Sequence, residues 1–281
     1  MKIIDSIAKM QGLAEGLRRT DNKIGLVPTM GYLHEGHLAL VKKARQISDT
    51  VVVSIFVNPT QFAPTEDLDR YPRDFERDRA LLESENADII FFPDAKQMYP
   101  EGYSTYIQVR GLEDFLCGGS RKGHFIGVAT VVAKLFNIVK PHYAVFGKKD
   151  FQQLKIIERM VRDLNMDIEI IPCPTVREAD GLAMSSRNTY LGPEERKKAL
   201  ILYESIKTLK GMFREGVRDA DILKKKAREM IESIEGVRID YISITDTETL
   251  EEISTIKDKA LYAVACFVGR TRLIDNTILE D

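Results

Sequence analysis

The chain has 281 residues, 44% apolar and 30% charged, which suits two domains at about 150 residues each, with a substantial core and a charged surface. Its 41 basic and 43 acidic residues leave a formal charge of -2, which excludes a broad basic face for nucleic acid. An anionic ligand must therefore be met by a few local cations. The N-terminal stretch MKIIDSIAKMQGLAEGLRR has no secretory pattern, and no apolar run reaches the roughly 18 residues of a membrane span. Cys117, Cys173 and Cys266 form no C-x-x-C pair and read as buried thiols of a cytoplasmic protein. Low Asn and Gln, no Trp and abundant Lys and Glu lean towards a heat-adapted source.

In chain order, IGLVPTM (24–30) reads as a buried strand, GHLALVKKARQIS (36–48) as a helix and TVVVSIFVN (50–58) as a second strand. RDFERDRALLESEN (73–86) is an amphipathic helix and ADIIFFP (87–93) a strand; STYIQVRG (104–111) is a short extended piece. The apolar helix VATVVAKLFNIV (128–139), the strand YAVFG (143–147), the helix 150–165 and the strand MDIEIIPCP (166–174) follow. Continuous Val/Ile runs separated by helices predict a doubly wound parallel α/β sheet, Rossmann-like, over residues 1–180, with ligands beyond the carboxyl ends of the strands. After Pro174 the polar segment 176–192 reads as a loop at the junction. A smaller α+β domain, 181–281, then carries helices near 193–214 and 219–234 and strands at 237–246 and 260–269, which lead to RTRLIDNTIL (270–279).

The segment richest in chemistry is Pro28-Thr29-Met30-Gly31-Tyr32-Leu33-His34-Glu35-Gly36-His37, where the first strand gives way to a helix. His34 and His37 share a face across one helical turn, and Gly31 and Gly36 let backbone and phosphate approach closely. A helix start attracts anions and disfavours imidazolium, so both rings are expected neutral, each with one N–H to donate. Two capping or surface histidines are the bland alternative; two of the four histidines in one glycine-flanked turn argue for function.

This H-x-G-H turn resembles the signature of the nucleotidyltransferase superfamily, which includes class I aminoacyl-tRNA synthetases and cleaves ATP between the α and β phosphates. Met184-Ser185-Ser186-Arg187 stands where that superfamily carries its mobile phosphate-binding loop, and hydroxyls and a guanidinium suit phosphate oxygens. Val57-Asn58-Pro59-Thr60-Gln61-Phe62, Gly123-His124-Phe125 with Gly127-Val128, and Phe146-Gly147-Lys148-Lys149-Asp150-Phe151-Gln152-Gln153-Leu154 narrow the likeness. Together with VREADGLAMSSRN they resemble the pantothenate synthetases over residues 27–188. Two departures are Lys122, where the family commonly has Pro, and Lys148, where it commonly has Glu or Gln.

The resemblance implies ATP binding by Met30, Gly31, Tyr32, Leu33, His34, Glu35, Gly36, His37, Gly147, Lys148, Lys149, Asp150, Val176, Met184, Ser185, Ser186 and Arg187. It implies pantoate binding by Gln61 and Gln153, with Gln61 also close to β-alanine. His37, His34, Lys149 and Arg187 are the catalytic candidates, with His37 as proton donor to the phosphates. The pantoate carboxylate, ionised at neutral pH, attacks the α-phosphorus without a protein nucleophile, and the β-alanine amine then displaces AMP. Mg²⁺ is expected on the outgoing phosphates, with Asp78 and Asp150 as candidate ligands only. Asp150 is also placed to cap the next helix. The implied assembly is a homodimer. A dinucleotide-forming nucleotidyltransferase, an RNA binder and a non-catalytic ATP sensor are the rival readings, separated by whether ATP–pyrophosphate exchange requires pantoate alone.

Overall fold

The computed structural model describes residues 1–64 and 66–281, which fall into two compact units. The first comprises Met1–Arg110 and Arg121–Pro174, the second Gly111–Ser120 and Thr175–Asp281.

In the first unit the chain runs β1 (Lys2–Ile4), α1 (Ile7–Arg19), β2 (Ile24–Thr29), α2 (Glu35–Ile47), β3 (Thr50–Ile55), α3 (Phe75–Ser84), β4 (Ile89–Phe91) and α4 (Ala95–Met98). The helix α5 (Leu116–Ser120) belongs to the second unit, and the first resumes with α6 (His124–Val139), β5 (Tyr143–Gly147), α7 (Phe151–Asp163) and β6 (Glu169–Cys173). The six strands pair in the order β1-β4-β3-β2-β5-β6, every pair parallel. This is the doubly wound sheet the Val/Ile runs predict. All six residues of β3 are buried, as helices on both faces require. Val27, Val51, Val53, Ile55, Ile90 and Val145 of the sheet pack with Val41 and Ala44 of α2 and Leu82 of α3.

The direction of winding reverses between β2 and β5, and here the sheet splits. The β2–β5 ladder ends at Leu26, whereas β2 keeps its register with β3 through Thr29. Pro28 sits inside β2, where a residue without an N–H is ordinarily excluded. The Thr29 carbonyl accepts from Phe56 N on the β3 side, so the neighbouring Pro28 backbone faces β5, whose ladder has already stopped. No ladder bond is lost, and the strands part at their carboxyl ends.

Several elements differ from expectation. β1 and α1 carry no strong periodic signal in the sequence; Ser6 caps α1 by accepting from Lys9 N. α6 starts at His124 rather than 128, because Gly123 in the left-handed region (φ 80°) turns the chain into it without a side-chain cap. The 104–111 piece forms no strand and joins neither sheet, and it ends in a turn at Arg110 and Gly111.

The second unit holds α8 (Pro193–Ala199), α9 (Ile201–Arg214), α10 (Ala220–Glu232), β7 (Val237–Thr245), β8 (Lys259–Val268) and β9 (Thr271–Glu280). Its antiparallel sheet β7-β8-β9 buries Ile244, Tyr262, Val264 and Leu279 against Leu202, Leu209 and Leu223 of α9 and α10. The sequence puts the second domain from 181, with 176–192 as a junction loop; the second compact unit takes up the chain again at Thr175. Arg177 makes a two-pronged ion pair with buried Asp275 of β9 (2.6 and 3.0 Å), and an Arg177–Ala183 bridge closes the base of the loop. The detour 111–120 joins this unit because Ser120 Oγ donates to Asp240 (3.0 Å) and Cys117 Sγ lies 3.2 Å from the Tyr241 hydroxyl. Among the described residues no helix is long and apolar enough to cross a membrane.

Candidate active site

The split between β2 and β5 places three loops of the first unit at one end of the sheet: Met30–His34 after β2, Asn58–Gln61 after β3, and Lys148–Asp150 after β5.

The first loop is held in a demanding conformation. Gly31 and Tyr32 are both left-handed, with φ 81° and 49°, and Tyr32 has a Cβ that disfavours this region. Asp78 of α3 supplies the restraint: its oxygens accept from Tyr32 N (2.6 Å) and Leu33 N (2.7 Å). Arg77 lies over the Tyr32 ring at 5.0 Å. A Cβ on Gly31 would approach Asp78 Oδ2 to 3.0 Å, so the glycine serves both the φ and the close approach. Burial pushes the Asp78 carboxyl above its usual range, opposed by these two amide bonds. Asp78→Asn should therefore lower stability by about 1–3 kcal/mol, because one amide is left facing an NH₂ group. A shift in the denaturant midpoint measures it; an unchanged midpoint means the turn holds itself.

The two histidines follow. His34 is the N-cap of α2, and its Nδ1 accepts from Gly36 N at 3.1 Å. His37 Nδ1 accepts from His34 N at 3.3 Å, completing a reciprocal capping box. An acceptor Nδ1 carries no proton, so a neutral ring bears it on Nε2. The capping thus fixes both tautomers and leaves both Nε2–H groups as donors. The rings lie 4.0 Å apart. Burial first, then the charges of His34 and Lys149, hold the His37 pKa well below the usual imidazole value. His37 is therefore neutral at physiological pH, as the helix start predicts.

Lys149 lies in the short turn Lys148–Asp150 that links β5 to α7, its ammonium 3.7 Å from Asp150 Oδ1. Asp150 occupies the N-cap position of α7, yet its side chain makes no cap bond there. Gln153 is half-buried in the first turn of α7.

Gln61 ends a short turn, Pro59–Gln61, and is buried. Its Oε1 accepts from Asn58 Nδ2 (3.1 Å) and its Nε2 donates to Met30 Sδ (3.1 Å). Asn58 is only 1% exposed and fully engaged. Its Nδ2 also donates to Gly127 O, while its Oδ1 accepts from Thr60 Oγ1 and the Tyr99 hydroxyl. That saturation fixes the orientation of Asn58 and, through it, of the Gln61 amide. Sequence reading quoted Asn58 within a motif but gave it no role; its partners come from three separate segments. Gly127 permits the arrangement, since a Cβ there would lie 2.3 Å from Thr60 O.

The structure thus brings His34, His37 and Lys149 into one electrostatic group and sets Gln61 against Met30. Val176 and Met184–Arg187 lie in the second unit, where Ser185 caps the turn Ser186–Tyr190 by accepting from Arg187 N. Among the described residues no group of three or more His, Cys, Asp or Glu side chains converges to hold a metal ion. Asp78 is committed to the turn, accepting from Tyr32 N and Leu33 N, and Asp150 lies beside Lys149.

Fold and turn together define a doubly wound α/β protein of the nucleotide-binding class, with an anion-ready helix start at its switch point. The particular family is shown by comparison. The family model for pantoate-beta-alanine ligase matches residues 2–278. Pantothenate synthetase of Thermotoga petrophila is 59% identical over 279 residues, covering 99% of this chain and 100% of that protein. The enzyme of Caldicellulosiruptor bescii is 52% identical over 280 residues, covering 100% and 99%. The crystal structure of pantothenate synthetase from Thermus thermophilus superposes with a TM-score of 0.95 at 46% identity, covering 100% of both chains. That of the Francisella tularensis ligase, complexed with beta-gamma ATP and beta-alanine, gives 0.82 at 35% identity, covering 100% and 98%. The chain belongs to the pantoate-beta-alanine ligase family, and is a ligase of pantothenate biosynthesis.

Proposed function

We propose that this enzyme condenses pantoate with β-alanine using ATP, through a pantoyl-adenylate intermediate, and releases AMP and pyrophosphate. The observation that carries the reading is the pair of tautomer-locked Nε2–H donors at the start of α2, with the Lys149 ammonium beside them. Phosphates need hydrogen-bond donors and positive charge, and this group offers both. Family membership and the ATP and beta-alanine in the Francisella complex support the same assignment.

In this reading the turn Met30–His37 and the segment Gly147–Asp150 bind the nucleotide. His37 and His34 donate to phosphate oxygens, and Lys149 balances the charge that builds at the α-phosphorus. Gln61 and Gln153 hold the hydroxy acid through neutral amides, which add no charge beside the phosphates. The same position of Gln61 serves β-alanine in the second step. The pantoate carboxylate attacks as an anion, so alignment and electrostatics suffice for the first step. The amine of β-alanine, once deprotonated, attacks the acyl carbon, and the acyl–phosphate bond breaks with AMP as leaving group. Magnesium would balance the charge of the nucleotide's phosphates, with Asp150 the candidate carboxylate nearest the Lys148–Asp150 turn. The roles of Val176, Met184, Ser185, Ser186 and Arg187 rest on family resemblance alone. We place the enzyme in the cytoplasm as a homodimer; its three cysteines are free and buried, as a reducing compartment permits.

With pantoate, β-alanine and Mg-ATP the products should be pantothenate, AMP and pyrophosphate. Exchange of labelled pyrophosphate into ATP should require pantoate and no amine. ADP and orthophosphate as products would mean attack at the γ-phosphorus and overturn the mechanism.

A further inference from the structure

The Gly123-His124-Phe125 motif has no part in the chemistry above, yet its histidine reaches the pantoate candidate Gln61. His124 Nδ1 lies 2.7 Å from the Gln61 carbonyl oxygen, and its Nε2 lies 2.9 Å from Arg121 Nη1. A carbonyl only accepts, so Nδ1 carries the proton and Nε2 receives from the guanidinium. Arg121 in turn grips both oxygens of Glu66, through Nε at 2.6 Å and Nη2 at 2.7 Å, and Nη2 also reaches the Gln61 carbonyl at 3.4 Å. This ion pair is largely withdrawn from solvent, with side-chain exposures of 12% and 20%. Burial raises the Glu66 carboxyl, but the Arg121 contact prevails and holds it below its ordinary value.

Two independent frames therefore converge on one residue. Asn58 fixes the Gln61 side-chain amide, while the chain Glu66–Arg121–His124 fixes its backbone at the end of a turn, where carbonyls lack an internal partner. The backbone of α6 abuts the same turn at Gly127. We infer that Glu66, Arg121 and His124 are positioning residues that set the Gln61 amide against pantoate. The inference rests on the reading in which Gln61 binds pantoate. His124 and Arg121 touch the Gln61 backbone carbonyl and Glu66 holds Arg121, so the three act on acid affinity and leave ATP affinity alone.

A double-mutant cycle tests it, with pantoate and ATP titrated calorimetrically into each variant and melting temperature recorded. His124→Leu should weaken pantoate binding by about tenfold to a hundredfold, the scale of one hydrogen bond to a group that must be held in place. His124→Asn, whose Nδ2–H stands close to the position of Nδ1–H, should restore affinity to within about threefold of wild type. In a Gln61→Ala background, His124→Leu should cost less than about threefold more, because the group it positions is gone. Gln61→Ala with unchanged pantoate affinity overturns the pantoate reading and this inference together. A Gln61→Ala loss with no His124→Leu loss, or with an equal His124→Leu loss in both backgrounds, overturns the positioning role alone. Should His124→Leu fail to fold, Arg121→Lys reads the same link, keeping charge against Glu66 but losing the planar fork. About a tenfold loss of pantoate affinity is expected there, and unchanged affinity refutes the brace.

Discussion

His37→Asn should slow pantoyl-adenylate formation by a factor of about 10² or more, the usual scale for one pre-organised donor. The asparagine oxygen can take the place of Nδ1 and accept from His34 N, so the capping box survives while the Nε2–H donor is lost. His37→Ala removes the cap as well, and should cost about 1 kcal/mol of stability in addition. A pH signature accompanies the rate effect. The folded imidazole is held well below its ordinary value, first by burial. As pH falls below about 6.5 the unfolded chain takes up a proton that the folded site refuses, so stability falls on acidification. The slope from this group is at most about 1.4 kcal/mol per pH unit, and it ends once the folded ring also protonates. His37→Asn should abolish that slope. Single-turnover adenylation and melts at two pH values measure both effects; near-normal turnover beside a collapsed melting temperature would remove His37 from the mechanism.

Gln61→Glu should weaken pantoate binding by about tenfold to a thousandfold while leaving ATP binding intact. The glutamate keeps an acceptor for Asn58 Nδ2, so the frame around it stands. Where Nε2 donated towards Met30 Sδ it now places a carboxylate oxygen, beside the site assigned to an acid anion. Two like charges about 4 Å apart repel by about 4 kcal/mol at an effective dielectric near 20. Proton uptake by the glutamate and side-chain movement reduce that figure, which sets the range given. Titration of each ligand into the mutant decides the case. Normal pantoate binding would place Gln61 outside the acid pocket, and equal loss of both ligands would make it a structural residue.

What the sequence carried well was local. The run TVVVSI as a buried strand of a parallel sheet follows from period and composition, and β5 is delimited at Tyr143–Gly147 by its Val and aromatic content. The two histidines were legible as a pair because three-residue spacing on a helix start has one geometric meaning. What escaped was long-range. Asp78 stabilises a turn 46 residues away in sequence, and nothing in RDFERDRALLESEN marks one of its carboxylates as buried. The detour 111–120 into the second unit depends on Asp240 and Tyr241, more than a hundred residues later. Asp150 shows the opposite error: it stands at the cap position that its residue type predicts, but its carboxylate lies toward Lys149 instead.

The parting of β2 and β5 bears on how a ligand is received. Pro28 offers no N–H on that side, so it adds no donor that could extend the ladder beyond Leu26. The strands are already apart beyond Leu26 with no ligand between them. A ligand entering there has no strands to pry apart, and its contact energy is not diverted into rearranging the sheet.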